Sequence, residues 1–135
     1  IDNLTKGFFL EEIPNIKIVG ADPYGSVLGG EDEYNGKPYH VEGIGYDFIP
    51  KVFDTSVVDE FIKVNDKEAF STARALISQE GLLIGGSCGS ATFAALKAAK
   101  SLKKGQNCLI ILPDSIRNYM RKFLSDDWMK ENNLF

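Results

Sequence analysis

Apolar and polar positions alternate along this chain with a period that changes from segment to segment. Ile1, Leu4, Phe8 and Ile13 fall near one face of a helical wheel, with Asp2 and Asn3 as candidate caps, Gly7 weakening the middle and Pro14 as terminator. The run Ile16 to Ala21 reads as a strand, closed by the turn-forming Asp22-Pro23-Tyr24-Gly25-Ser26. Between Leu28 and His40 the pattern dissolves into glycine, tyrosine and the acidic run Glu31-Asp32-Glu33, as expected of a solvated loop. From Asn65-Asp66 a 3.6-residue period returns through Ala69, Phe70, Ala73, Leu76 and Ile77, predicting a helix that stops near Gly81. Leu82-Leu83-Ile84 reads as a short strand or extended entry, and the alanine-rich Ala91 to Leu102 as a second helix stopped by Gly105. Cys108 to Leu112 is continuously apolar, the pattern of a parallel strand covered on both faces. Ile116 to Phe135 suggests a last helix and an apolar tail, with Phe123, Trp128 and Met129 expected to pack against protein outside this chain and Arg117, Arg121 and Lys122 on the polar side. Helices alternating with buried-looking strands predict an α/β fold with a largely parallel sheet.

Composition narrows the function classes. A length of 135 residues with 44% hydrophobic content supports one core, and no internal repeat is present. The net charge of −4 and the lack of a basic cluster interleaved with aromatics argue against a nucleic-acid partner. No apolar stretch approaches the roughly 20 residues that span a bilayer, so no membrane partner is expected and a cytoplasmic location is. Cys88 and Cys108 form neither a metal motif nor a disulfide framework, so free thiols and no metal are expected.

Candidate chemistry concentrates in Gly85-Gly86-Ser87-Cys88-Gly89-Ser90, which places a hydroxyl where extended chain becomes helix. Gly85-x-Ser87-x-Gly89 fits a hydrolase nucleophile elbow, but that order needs a histidine after the serine, and His40 precedes it. A P-loop would require a lysine that is missing. Ser87 could instead be a neutral hydrogen-bond partner for a heteroaromatic nitrogen, or Ser87 and Ser90 could simply cap the helix. Cys88 is open to two readings, a reactive helix-terminal thiol or a packed one; Cys108 reads as a core thiol and His40 as a surface loop residue. Asp114-Ser115, at the ligand side of the sheet, reads equally as a binding element or a turn and cap.

Longer stretches break the tie. Val41-Glu42-Gly43-Ile44-Gly45-Tyr46-Asp47-Phe48-Ile49-Pro50, Gln79-Glu80-Gly81-Leu82-Leu83 leading into the glycine turn, Leu112 to Met120 and Phe123 to Met129 together resemble the cystathionine beta-synthase family, in the right order and from about Ile16 to Phe135. The resemblance implies a fold-type II enzyme dependent on pyridoxal 5'-phosphate, condensing serine with homocysteine to cystathionine, with release of hydrogen sulfide from cysteine in some members. It implies that Ser87 meets the cofactor's pyridine nitrogen, that Gly43, Gly45 and Tyr46 form the loop beside ring and substrate, and that Gly85 and Gly86 shape the wall. A neutral serine does not enforce a protonated pyridine, which moderates the electron sink. The family's Schiff-base lysine and phosphate loop have no counterpart here: Lys6 and Lys17 lack the family context. Residues 1–135 are therefore expected to be the C-terminal portion of a catalytic domain, without regulatory modules, working with the missing N-terminal half and as a homodimer. A noncatalytic binding or dimer-supporting module of the same fold, or a cysteine synthase, are the alternatives.

Overall fold

The computed structural model describes residues 12–135, so the first helix expected from the sequence, and Lys6 with it, lie outside the described residues. Two parallel strands, β1 (Val19–Pro23) and β2 (Glu60–Val64), pair in register from Val19 opposite Glu60 to Pro23 opposite Val64. They carry two helices, α1 (Asp66–Glu80) and α2 (Gly86–Ala99), and a short α3 (Asp126–Glu131) follows. The expected α/β class with a parallel sheet is what the structure shows.

Local chemistry explains α1 well. Asn65 Oδ1 accepts from the Glu68 amide at 2.9 Å while Glu68 Oε2 accepts from the Asn65 amide at 2.9 Å, a reciprocal cap that satisfies two orphan donors. Asp66 and Glu68 add negative charge where the helix dipole favours it. At the other end Gly81 adopts φ 69°, the left-handed conformation that terminates helices at little cost for glycine.

Packing is organised by small residues. Val64, Ala69 and Ala94 form one buried cluster joined by Ala21, Ile62 and Phe93, which seats both helices on the strands. At Gly89 a Cβ would run into the Ala69 carbonyl oxygen and lie 2.9 Å from the Ala73 Cβ, so α1 and α2 approach as closely as they do only because that side chain is missing. A second cluster gathers Val41, Phe70, Ile84, Cys88, Tyr119, Phe123, Met129 and Leu134, with the Phe70 and Phe123 rings stacked at 5.2 Å.

Several expectations need correcting. The first strand begins at Val19, because Ile16 is held in a turn by a 3.0 Å bond to the Ile13 carbonyl, and it runs through Pro23. β2 has no counterpart among the sequence expectations, although Val57-Val58 and Phe61-Ile62 supply β-branched and aromatic residues. Cys108 to Leu112 is not a strand among the described residues, and Leu109 is 74% exposed: an apolar run announces burial but cannot supply the neighbouring strands that burial requires. Cys108 is accordingly exposed. The chain from Ile116 does not continue as one helix. A single 3₁₀ turn at Ile116–Asn118 is followed by a fresh start at Ser125, whose Oγ accepts from the Trp128 amide. Phe123 and Met129, expected to need protein outside the chain, are buried against Phe70 and its neighbours. Arg117, Arg121 and Lys122 are exposed, as expected.

Candidate functional site

The turn from Ile84 into α2 is held by its own neighbours. Gly85 donates its amide to the Asp114 carbonyl at 3.2 Å, Ile116 donates to the Leu83 carbonyl at 3.1 Å, and Ile84 and Ser115 form an antiparallel bridge. The Asp114 side chain faces the same turn: Tyr119 donates its hydroxyl to Oδ2 at 2.6 Å, and the Cys88 thiol lies 3.4 Å from the Asp114 carbonyl oxygen. That carboxylate hydrogen bond, with burial behind it, holds the Tyr119 proton and pushes its pKa up to about 12. Burial likewise pushes the Cys88 thiol up, so of its two readings the packed, unreactive one stands. Asp114 is thus a structural anchor, a role its turn-like context in the sequence does not reveal.

Ser87 sits in the first turn of α2, 5% exposed, and its hydroxyl has no hydrogen-bond partner among the described residues. Ser90, one turn on, is fully buried and its Oγ is also unpartnered. The capping role is excluded for both: Gly85 occupies the cap position and no side chain caps this helix. The flanking glycines answer to packing, because a Cβ on Gly85 would collide with the Asp114 carboxylate and one on Gly86 would lie 2.6 Å from the Phe70 ring.

The second sequence candidate is the loop 43–46. Gly43 (φ 84°) and Gly45 (φ 81°) both need the left-handed region, and a Cβ on Gly45 would also lie 2.5 Å from Pro23, the last residue of β1. The loop therefore lies at the carboxyl end of the strand, where open α/β sheets bind ligands. Val41 and Ile44 pack into the same cluster as Ile84 and Cys88, which joins this loop to the Ser87 turn. The Tyr46 side chain is 49% exposed, with its ring edge-on to Phe48 at 5.3 Å. His40 is exposed, its ring edge-on to Trp128 and its amide bonded to Asp66.

Comparison with known proteins gives the family and the fold. Residues 7–114 match the family model for pyridoxal-phosphate dependent enzymes. Cystathionine beta-synthase from Rattus norvegicus is 60% identical over 122 residues, covering 88% of this chain and 22% of that protein. The Dictyostelium discoideum cystathionine beta-synthase is 56% identical over 124 residues, covering 90% and 25%. The chain thus spans about a quarter of these relatives' length. Among solved structures, an O-acetylserine dependent cystathionine beta-synthase from Helicobacter pylori superposes with a TM-score of 0.79 at 41% identity, over 87% of this chain and 38% of that one. A cysteine synthase from Entamoeba histolytica gives 0.78 at 32% identity, over 93% and 36%.

The residues fit such a cofactor. The Ser87 hydroxyl, at the start of α2 and unpartnered among the described residues, is available to bond a heteroatom of a flat ring. No helix among the described residues is long and apolar enough to cross a membrane, and none of their His, Cys, Asp and Glu side chains cluster into a metal site. With most of its length matched by one family model, the chain belongs to the pyridoxal-phosphate dependent enzyme family and resembles its cystathionine beta-synthase members.

Proposed function

We propose that this chain is the Ser87-bearing portion of a β-replacement enzyme that condenses L-serine with L-homocysteine to cystathionine and can release hydrogen sulfide from cysteine. The observation that carries the reading is Ser87, a buried residue at the start of α2 whose hydroxyl has no hydrogen-bond partner among the described residues. When bound, pyridoxal phosphate supplies the electron sink for bond breaking at the amino acid. Ser87 bonds the ring nitrogen without imposing a charge, Gly85 and Gly86 form the adjoining wall, and Gly43, Gly45 and Tyr46 line the substrate side.

The Schiff-base lysine is assigned outside these residues. Lys17 is paired with Glu60 at 2.5 Å on the surface, and Lys63 is held by Asp22 at 2.8 Å beneath the Ser26 turn. The whole protein works as a cytoplasmic homodimer in this reading, and residues 1–135 form the C-terminal part of its catalytic domain.

The test is Ser87→Asp in the full-length protein. A carboxylate there enforces a protonated ring, and cystathionine formation is expected to fall on the order of a hundredfold. Unchanged turnover would remove Ser87 from the ring nitrogen. A cysteine synthase reading draws on the Helicobacter pylori cysteine synthase, 41% identical over 118 residues. Product analysis with serine plus homocysteine against O-acetylserine plus sulfide separates the two.

A further inference from the structure

The loop that carries Tyr46 is fixed by Ser26, the last residue of the turn that follows β1. Ser26 is fully buried, and its Oγ accepts two backbone N–H bonds, from Leu28 at 3.3 Å and from Tyr46 at 3.1 Å. The Val27 amide donates to the Tyr46 carbonyl at 2.9 Å, so both polar groups of the Tyr46 residue are tied to two consecutive residues. Ser26 is itself held: its amide donates to the Pro23 carbonyl at 3.1 Å, and its carbonyl accepts from Lys63 Nζ at 2.5 Å.

Lys63 is not a passing surface charge. It stands opposite Asp22 in the β1–β2 register, is 17% exposed, and pairs with Asp22 at 2.8 Å and Asp32 at 3.3 Å, while the Asp22 carboxylate also accepts from the Gly29 amide at 3.0 Å. Asp22 is 2% exposed, so the pair is desolvated and geometrically demanding. The strand ends thus clamp Ser26, and Ser26 clamps Tyr46. The Tyr46 backbone is held in place while its ring remains displayed at the surface.

We propose that Ser26 is a positioning residue for the Gly43–Tyr46 loop: it sets where the Tyr46 ring is presented and thereby tunes how tightly the amino-acid substrate is held, with the Asp22–Lys63 pair as its foundation. The substrate half of this inference rests on the function proposed above; the clamp itself does not.

The experiment uses full-length protein loaded with pyridoxal phosphate and reads amide hydrogen exchange at Tyr46 together with steady-state kinetics for serine. Ser26→Ala removes the acceptor, and exchange at the Tyr46 amide is expected to quicken by about tenfold, the worth of one ordinary hydrogen bond. KM for serine is expected to rise about tenfold with kcat within about threefold, and Ser26→Thr, which keeps the oxygen, to restore both readouts. The paired variant Asp22→Asn/Lys63→Met removes both charges together and is expected to raise exchange less, because Ser26 Oγ remains; it also serves if Ser26→Ala fails to fold. Unchanged Tyr46 exchange in Ser26→Ala, or in the paired variant where it must stand in, overturns the clamp. Faster exchange with KM unmoved, or with kcat and KM falling in step with thermal stability, overturns the link to substrate. Wild-type protein that makes no cystathionine from serine overturns the functional reading and the substrate link together, while the exchange arm still decides the clamp.

Discussion

Two glycine-bearing regions share one apolar cluster, and the contrast between them is clearest at Gly43, since Gly45 answers both to its φ and to Pro23 beside it. In the turn entering α2, Gly85, Gly86 and Gly89 have ordinary backbone conformations, and a Cβ on any of them would strike protein: the Asp114 carboxylate, the Phe70 ring and the Ala69 carbonyl. In the loop before Tyr46, Gly43 has open space on its Cβ side and needs glycine only for its φ of 84°. The first region is a packed wall whose glycines let two helices and a turn close on one another. The second is a shaped strap, partly exposed and held by hydrogen bonds. A site that must hold a flat ring rigidly while admitting substrate is well served by one of each.

The sharpest way to break this contrast is Gly89→Ala. Its new Cβ meets backbone that cannot rotate away, so a loss of about 3 kcal/mol is expected in urea denaturation of the full-length protein. A loss under about 0.5 kcal/mol would mean that the helices are not in contact there. Next comes Tyr119→Phe, which deletes the phenol that donates to Asp114, and a loss of about 2 kcal/mol below pH 10 is expected.

The same variant carries a pH signature. The folded Tyr119 pKa is about 12 against an ordinary 10.0, so the folded chain keeps this proton after the unfolded chain has lost it. The stabilising contribution is therefore fully present below about pH 10 and is lost as pH rises towards 12. Wild type should lose stability relative to Tyr119→Phe across that window, and parallel pH curves for the two proteins would contradict the assigned hydrogen bond.

Gly43→Ala should have the smallest effect. With nothing for the methyl to strike, only the left-handed backbone penalty of about 1 kcal/mol applies. A cost matching that of Gly89→Ala would erase the distinction between wall and strap.

Much of this was legible in the sequence. The α1 boundaries followed from Asn65-Asp66 and Gly81, because helix starts and left-handed termination are local chemistry. The glycine turn was legible as a break between an apolar run and a helix, but its composition alone left several roles open. Ser26 was not: one serine after Asp-Pro-Tyr-Gly looks like any turn residue, and its hydroxyl gains meaning only when the Tyr46 amide arrives from 20 residues away.

What the chain determines by itself is the set of local preferences: helix starts and stops, the positions where only glycine relieves a backbone conformation, and the alternation that marks an α/β fold. What the tertiary structure alone decided is which polar groups are left over. Ser87 could have capped its own helix, but Gly85 takes the cap position and leaves that hydroxyl unspent, whereas the Asp114 carboxylate is consumed by Tyr119. Local sequence sets what each residue can donate or accept. Only the packing of distant segments decides which of those bonds are already made, and so which group remains for a ligand.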